Sequence, residues 1–211
     1  MIHKYEDLIN LYKIESAKAF DSLDNNNIST LIEYVLQAYK NEKTIFVGGN
    51  GGSVGYIQNF VVDMNMHPFV SEDKSSNNTF RNKFKCVNLC SDQSTLTGLT
   101  NDLGYENVFV GQLGYQGEDN DIFIGISGSG NSKNILNAMA LAKNKGMKTV
   151  LFTRNVTNKC SEYSDLVICL DGTSEFPGQT GGNNNNFHFE DIFSKVTHLL
   201  CGILKQEVQN A

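Results

Sequence analysis

The sequence lacks any apolar run near the about 18 residues that a membrane-spanning helix requires. Its opening stretch, MIHKYEDLIN, carries acids among its first residues and no apolar core of the kind a secretory leader needs. These absences make a cytoplasmic protein the expectation. Positive charge is also short: 17 Lys and Arg stand against 23 Asp and Glu, a formal net charge of -6. That balance argues against nucleic acid and against an anionic membrane surface as partners. No C-x-x-C pair occurs, so Cys86, Cys90, Cys160, Cys169 and Cys201 read as reduced, mostly buried thiols rather than a structural zinc site. There is no internal repeat and no linker long enough to separate domains. The expectation is one domain over 1–211, long enough to bury a core.

What is there is a mixed pattern. Residues 2–42 carry apolar positions at helical spacing, Leu8, Leu11 and Tyr12, then Leu31, Val35 and Leu36. The stretch DSLDNNNIS interrupts them, with Ser29 as a candidate cap. Two helices follow from this, forming an N-terminal helical arm over 1–42. Five short β-rich runs come next: KTIFVGG, FKCVNLC, DIFIGIS, KTVLFT and DLVICL. Between them lie helical stretches, SVGYIQNFVVDM, DQSTLTGLTND, YENVFVGQL and NSKNILNAMALAKNKG. The stretch HPFVSEDKSSNNTFRNK and residues 172–186 read as loops. FHFEDIFSKVTHLLCGILKQE closes the chain as an amphipathic helix. Strands alternating with helices imply an α/β fold, a doubly wound parallel sheet flanked by helices.

Two stretches stand out, FVGGNGGSVG and GISGSGNSKN. Each follows an apolar strand and opens a helix. In an open α/β sheet the ligand crevice lies outside the carboxyl ends of the strands. Bare glycines there let backbone N–H groups approach an anion, and the first turn of the next helix faces it. Ser53, Ser127, Ser129 and Ser132 add neutral donors, with Asn50, Gly51, Gly52 and Gly128 as the surrounding backbone. Together they form a phosphate cradle without lysine. No G-x-x-x-x-G-K-[ST] occurs, which excludes a P-loop, and the first loop does not fit a dinucleotide fingerprint.

GNGGS followed by SGSGNS resembles the sugar isomerase (SIS) phosphosugar-binding family, most closely its phosphoheptose isomerases. TNDLGYENVF, ALAKNKGMKTVLFT and KVTHLL extend the similarity over nearly the whole chain. The resemblance implies a flavodoxin-like three-layer fold and conversion of sedoheptulose 7-phosphate to a heptose 7-phosphate. It also implies a homotetramer with sites between subunits.

An aldose–ketose isomerase moves a proton between adjacent carbons, usually through an enediol, and needs a base with a proton donor or metal. Asn59 and Asp63 lie four residues apart, on one helical face. In the last helix Asp191 and His198 share a stripe with Ser194 between them, and a histidine beside a carboxylate suits acid–base work near neutral pH. The resemblance implies catalytic roles for Asp63 and His198, on positions where the family has a glutamate and a histidine. It implies a zinc site at Asp63, Glu190 and His198, Glu190 standing where the family has glutamine. Asn59 replaces a family histidine ligand, so no cofactor is assigned and zinc binding weaker than in the family, or none, is the expectation. Gly128 stands where many phosphoheptose isomerases have threonine. His67, just beyond Asp63, is a candidate further ligand, or else a structural break at a helix end. The pair Asn101–Asp102 is a candidate contact to sugar hydroxyls, or else a turn. Two other readings stay open: a non-catalytic SIS regulator binding a sugar phosphate or a protein, and an isomerase of a different sugar phosphate.

Overall fold

A computed structural model describes residues 5–76 and 83–209. The N-terminal helices are α1 (Glu6–Asp21) and α2 (Asn25–Lys40). The α2 cap is Asp24, whose carboxylate accepts from the Asn26 N–H at 2.8 Å. Ser29, expected as the cap, lies inside the helix and donates to the Asn25 carbonyl at 2.8 Å. Asp24 holds extended backbone before the first helical turn, the geometry a capping side chain needs. Buried Ile28, Leu31, Val35 and Ala38 recur at helical spacing and seat α2 against the core.

The five expected strands form one parallel sheet: β1 (Thr44–Gly48), β2 (Lys85–Asn88), β3 (Ile122–Ile126), β4 (Lys148–Thr153) and β5 (Leu166–Cys169), in the order β2-β1-β3-β4-β5. Helices α3 (Ser53–Met66), α4 (Gln93–Leu103), α5 (Val108–Gln116), α6 (Lys133–Asn144) and α7 (Asn186–Gln209) complete the layers. The stretch YENVFVGQL divides into a 3-10 turn at Tyr105–Asn107 and then α5. His67 begins another 3-10 turn with Pro68 beside it, where the ring lacks a donor to continue α3. Residues 77–82 of the loop that follows lie outside the described residues.

Alternation along the strands divides the core into two. Ile45, Val47, Ile122, Ile124, Val150 and Phe152 face α2, α3 and α7. Phe46, Phe123 and Leu151 face α5 and α6. Each such side chain, removed from water, contributes about 1.5–3 kcal/mol, so both faces must stay covered. The cysteines are free; Cys86, Cys160 and Cys201 are buried, Cys90 and Cys169 half-buried. Among the described residues no helix is long and apolar enough to cross a membrane.

Candidate functional site

The strand order reverses between β1 and β3, which pair in register with Gly48 opposite Gly125. The loops that leave these two strands therefore open side by side at their carboxyl ends, the place where such sheets hold ligands. They are the two glycine-rich stretches. Gly51 has φ +56° and Gly130 φ +64°, a region that glycine enters without a Cβ penalty. Asn50 ties one loop to the other. Its Oδ1 accepts from Asn134 Nδ2 at 2.7 Å and from Tyr105 Oη at 2.6 Å, and its Nδ2 donates to Asn134 Oδ1 at 3.1 Å. The Asn50 side chain is thus a clamp that sets the loop spacing. In the second loop the Ser127 and Ser132 hydroxyls are paired at 3.0 Å, and Ser129 Oγ accepts from the Asn131 N–H at 3.2 Å. Ser132 occupies the cap position of α6 without bonding its first turn, so its hydroxyl faces the loop instead.

A third wall comes from the end of β4 and the start of α7. Arg154 follows β4 directly; its N–H donates to the Gly128 carbonyl at 3.1 Å and its Nη1 to the Asn183 carbonyl at 2.6 Å. Gln179 Oε1 accepts from the Asn186 and Phe187 N–H groups at 2.6 and 3.1 Å, closing the first turn of α7. Glu190 accepts from Asn186 Nδ2 at 3.1 Å. Its carboxylate lies against Gly52, where a Cβ would sit 2.6 Å from each oxygen. Burial pushes the Glu190 carboxyl above its ordinary value, against the pull of the Asn186 hydrogen bond, and the nearby Asp191 adds to the rise while Arg154 opposes it.

Farther along α3 lies a cluster of titratable side chains. α3 packs beside α7, with Phe60 against Phe193 at 5.8 Å between ring centroids. Asp63, only 7% exposed, accepts from Asn59 Nδ2 at 3.0 Å. Across the helix pair His198 Nε2 stands 3.4 Å from Asp63 Oδ2, and His67 Nε2 stands 3.3 Å from Oδ1. Asp63, His67, His198, Cys201, Gly202 and Lys205 line a cavity of about 240 Å³. A buried carboxylate with an exposed imidazole against it can pass a proton to a bound molecule and exchange it with solvent. Asp63 lies ten residues beyond Ser53, an axial rise of about 15 Å, so the cluster and the loops occupy different ends of one helix.

Several expectations need correction here. The His198 side chain is 64% exposed. Its carboxylate neighbour is Asp63 on the facing helix, not Asp191. Asp191 instead accepts from Tyr12 Oη at 2.6 Å and Tyr56 Oη at 3.4 Å. The proposed metal ligands Asp63, Glu190 and His198 are not brought together. Glu190 and His198 stand eight residues apart on α7, a rise of about 12 Å, and Glu190 turns to Gly52 and Asn186. Asn59 spends an amide donor on Asp63 rather than offering an imidazole. Among the described residues no group of three His, Cys, Asp or Glu side chains is placed to hold a metal ion. The set Asp63, Glu190 and His198, with an amide at Asn59, is a misfit for the zinc site that the resemblance implies. Asn101 and Asp102 are exposed at the end of α4 and bond each other at 2.9 Å; it is Tyr105, three residues on, that reaches the first loop. Arg154, Asn134 and Asn186 were not picked out by motif. The signal that points to Arg154 is position: it is the first residue past a strand end on the ligand side of the sheet.

The model of the SIS domain family matches residues 12–154. The phosphoheptose isomerase of Sulfurimonas denitrificans is 32% identical over 192 residues, 88% of this chain and 87% of that one. Phosphoheptose isomerase 2 of Campylobacter jejuni is 32% identical over 190 residues, 88% and 85% of the two lengths. Among solved structures, a phosphoheptose isomerase from Neisseria gonorrhoeae superposes with a TM-score of 0.77 at 22% identity, covering 98% of this chain and all of that one. The counterpart from Francisella tularensis has a TM-score of 0.73 at 24% identity, covering 96% and 94%. These two likenesses concern the fold.

Proposed function

The chain belongs to the SIS domain family, among the phosphoheptose isomerases, and from that premise we propose an aldose–ketose isomerase that interconverts sedoheptulose 7-phosphate and an aldoheptose 7-phosphate. The observation that carries this reading is the buried Asp63 carboxylate with the His198 imidazole 3.4 Å away, on the helix that leaves the first glycine loop. A 2-ketose 7-phosphate has its anionic group at one end of the carbon chain and its carbonyl at the other. The site has the same polarity: neutral donors and backbone N–H groups at the loops, a proton-transfer pair along the helix. In this scheme Asp63 takes the proton from the hydroxymethyl carbon next to the carbonyl, and His198 donates one to the carbonyl oxygen, giving the enediol. Asp63 then returns its proton to the adjacent carbon while His198 recovers one from the other hydroxyl. Ser53, Ser127, Ser129 and Ser132 hold the phosphate. Glu190 and the backbone of Gly51, Gly52 and Gly128 border the bound chain.

The protein acts in the cytoplasm, on this proposal, as a homotetramer whose sites are completed between subunits. Exposed Leu8, Ile9 and Ile14 on α1 supply apolar contact area for that assembly. A second reading, binding of a sugar phosphate without turnover, is favoured by the Asn59 amide, which occupies one oxygen of Asp63. Incubation with sedoheptulose 7-phosphate in deuterated water separates the two. Deuterium entering at the carbon beside the carbonyl supports the isomerase. Saturable binding with no exchange supports the regulator.

A further inference from the structure

We propose that Arg154 is the cationic member of the phosphate cradle, donating from its guanidinium to the phosphate monoester held by the second glycine loop. This rests on the reading of that loop as a phosphate site. The backbone places the side chain there first: the Arg154 N–H is bonded to the Gly128 carbonyl at 3.1 Å. The guanidinium then fills the room that a side chain at position 128 would take. A Cβ on Gly128 would lie 3.2 Å from Arg154 Cζ and 3.3 Å from Nε. The bare glycine and the arginine are therefore complementary, and the loop is closed by a cation where it has no side chain.

The hydrogen-bond inventory of the guanidinium points the same way. Nη1 is anchored on the Asn183 carbonyl at 2.6 Å, which fixes the plane of the fork. Nε is buried and has no hydrogen-bond partner. Among the described residues no carboxylate forms an ion pair with this side chain. Only Nε of this half-exposed side chain is left unmatched, with the Glu190 charge nearby but not in direct contact, and an arginine fork is the group whose geometry matches a phosphate. The three serines of the loop carry no charge, and the nearby Glu190 repels a dianion when ionised. Arg154 supplies the missing attraction.

The test is binding of inorganic phosphate to the full-length protein, measured by calorimetry on the unmodified chain, R154Q and R154K, with melting recorded on each. R154Q should bind phosphate roughly 10–100-fold more weakly, the worth of a charge-assisted hydrogen bond. R154K, which keeps charge and reach but not the fork, should fall between. With sugar phosphate as substrate, KM should rise more than kcat falls. If the unmodified protein binds phosphate and folded R154Q binds it within about twofold, Arg154 is not in the cradle, and the loop reading survives. If R154Q does not fold, R154M, which keeps the apolar stem and drops the charge, gives the same readout, and phosphate affinity within about twofold of the unmodified protein overturns the proposal. If the unmodified protein binds no phosphate at all, both the cradle and the role of Arg154 fall.

Discussion

Replacing His198 with Gln tests the proton-transfer assignment, because geometry separates its effect on stability from its effect on turnover. The side chain is 64% exposed and lies outside the buried core, so little packing is at stake. Its contact with Asp63 is open to solvent on one side, and such solvent-exposed contacts are worth about 0–1 kcal/mol. Asp63 would keep its Asn59 hydrogen bond at 3.0 Å and its His67 neighbour at 3.3 Å, so the buried carboxylate is not stranded. A stability loss within about 0.5 kcal/mol follows, or roughly 2 °C in melting temperature for a chain of this size. Turnover should fall far more, by about 10²–10⁴, because the amide of Gln cannot exchange a proton near neutral pH. Phosphate binding, held by loops at the other end of α3, should change little. Melting, phosphate binding and sugar isomerisation on one preparation decide the matter. A folded variant that isomerises at near the original rate refutes the role given to His198.

Ser132→Ala should weaken sugar-phosphate binding by about 1 kcal/mol, the net worth of one hydrogen bond, and Ser129→Ala by a similar amount; unchanged affinity in both, read by calorimetry, removes the second loop from the site. Asn59→His should raise zinc affinity, because it places an imidazole next to Asp63 and His198; metal analysis after dialysis checks this, and stoichiometric zinc in the unmodified protein would contradict the misfit described above. His188 is buried with both ring nitrogens lacking hydrogen-bond partners, and burial lowers its pKa from 6.5. The unfolded chain therefore takes up that proton first, so this residue's contribution to stability is present above pH 6.5 and is lost as pH falls below it toward the folded-state value. Chemical denaturation across that range should show a smaller pH dependence in His188→Gln than in the unmodified protein, and equal slopes would refute the assignment.

The fold was legible because its signals are local. Most strands are short runs of Val, Ile, Phe or Leu ended by Gly, Ser, Thr or a polar turn, and strands alternating with helices imply a parallel sheet; the strand order, and the link from β4 to β5 through a 3-10 turn rather than a helix, come from the structure. The glycine loops were legible for the same reason, as was the pairing of Asn59 with Asp63 four residues later. The partner of His198 was not. A spacing of seven places Asp191 on the same stripe of α7, but periodicity says nothing about what a facing helix presents, and α3 presents Asp63. The metal set failed similarly: Glu190 and His198 share a helix, yet about 12 Å of rise separates them. Arg154 has no motif at all. Its meaning comes from the crossing of β4 with the loop after β3, a contact between residues 26 positions apart. Ser29 shows the smaller version of this limit, since several polar residues in DSLDNNNIS can cap and only the backbone conformation at Asp24 selects one.

The two ends of the site are joined by a rigid element, and that shapes what the chemistry demands of it. α3 starts at Ser53 beside the cradle and carries Asp63 ten residues on. Ile57, Phe60 and Met64 bury its inner face, so it has no freedom to slide. At its start the loop is fixed by Asn50 to Asn134 and Tyr105. On the function proposed, a phosphate bound in the cradle is thereby referenced to the Asp63 carboxylate through packed helix, and its binding energy can be directed to orienting the carbonyl end. The cost of such a design is intolerance. An error of an ångström at the proton-transfer pair is enough to lose rate by about a hundredfold, and aspartate is one methylene shorter than glutamate. The position of Asp63 is therefore held from three sides, by Asn59 within its own helix, by His67 at the helix end and by His198 across the helix pair.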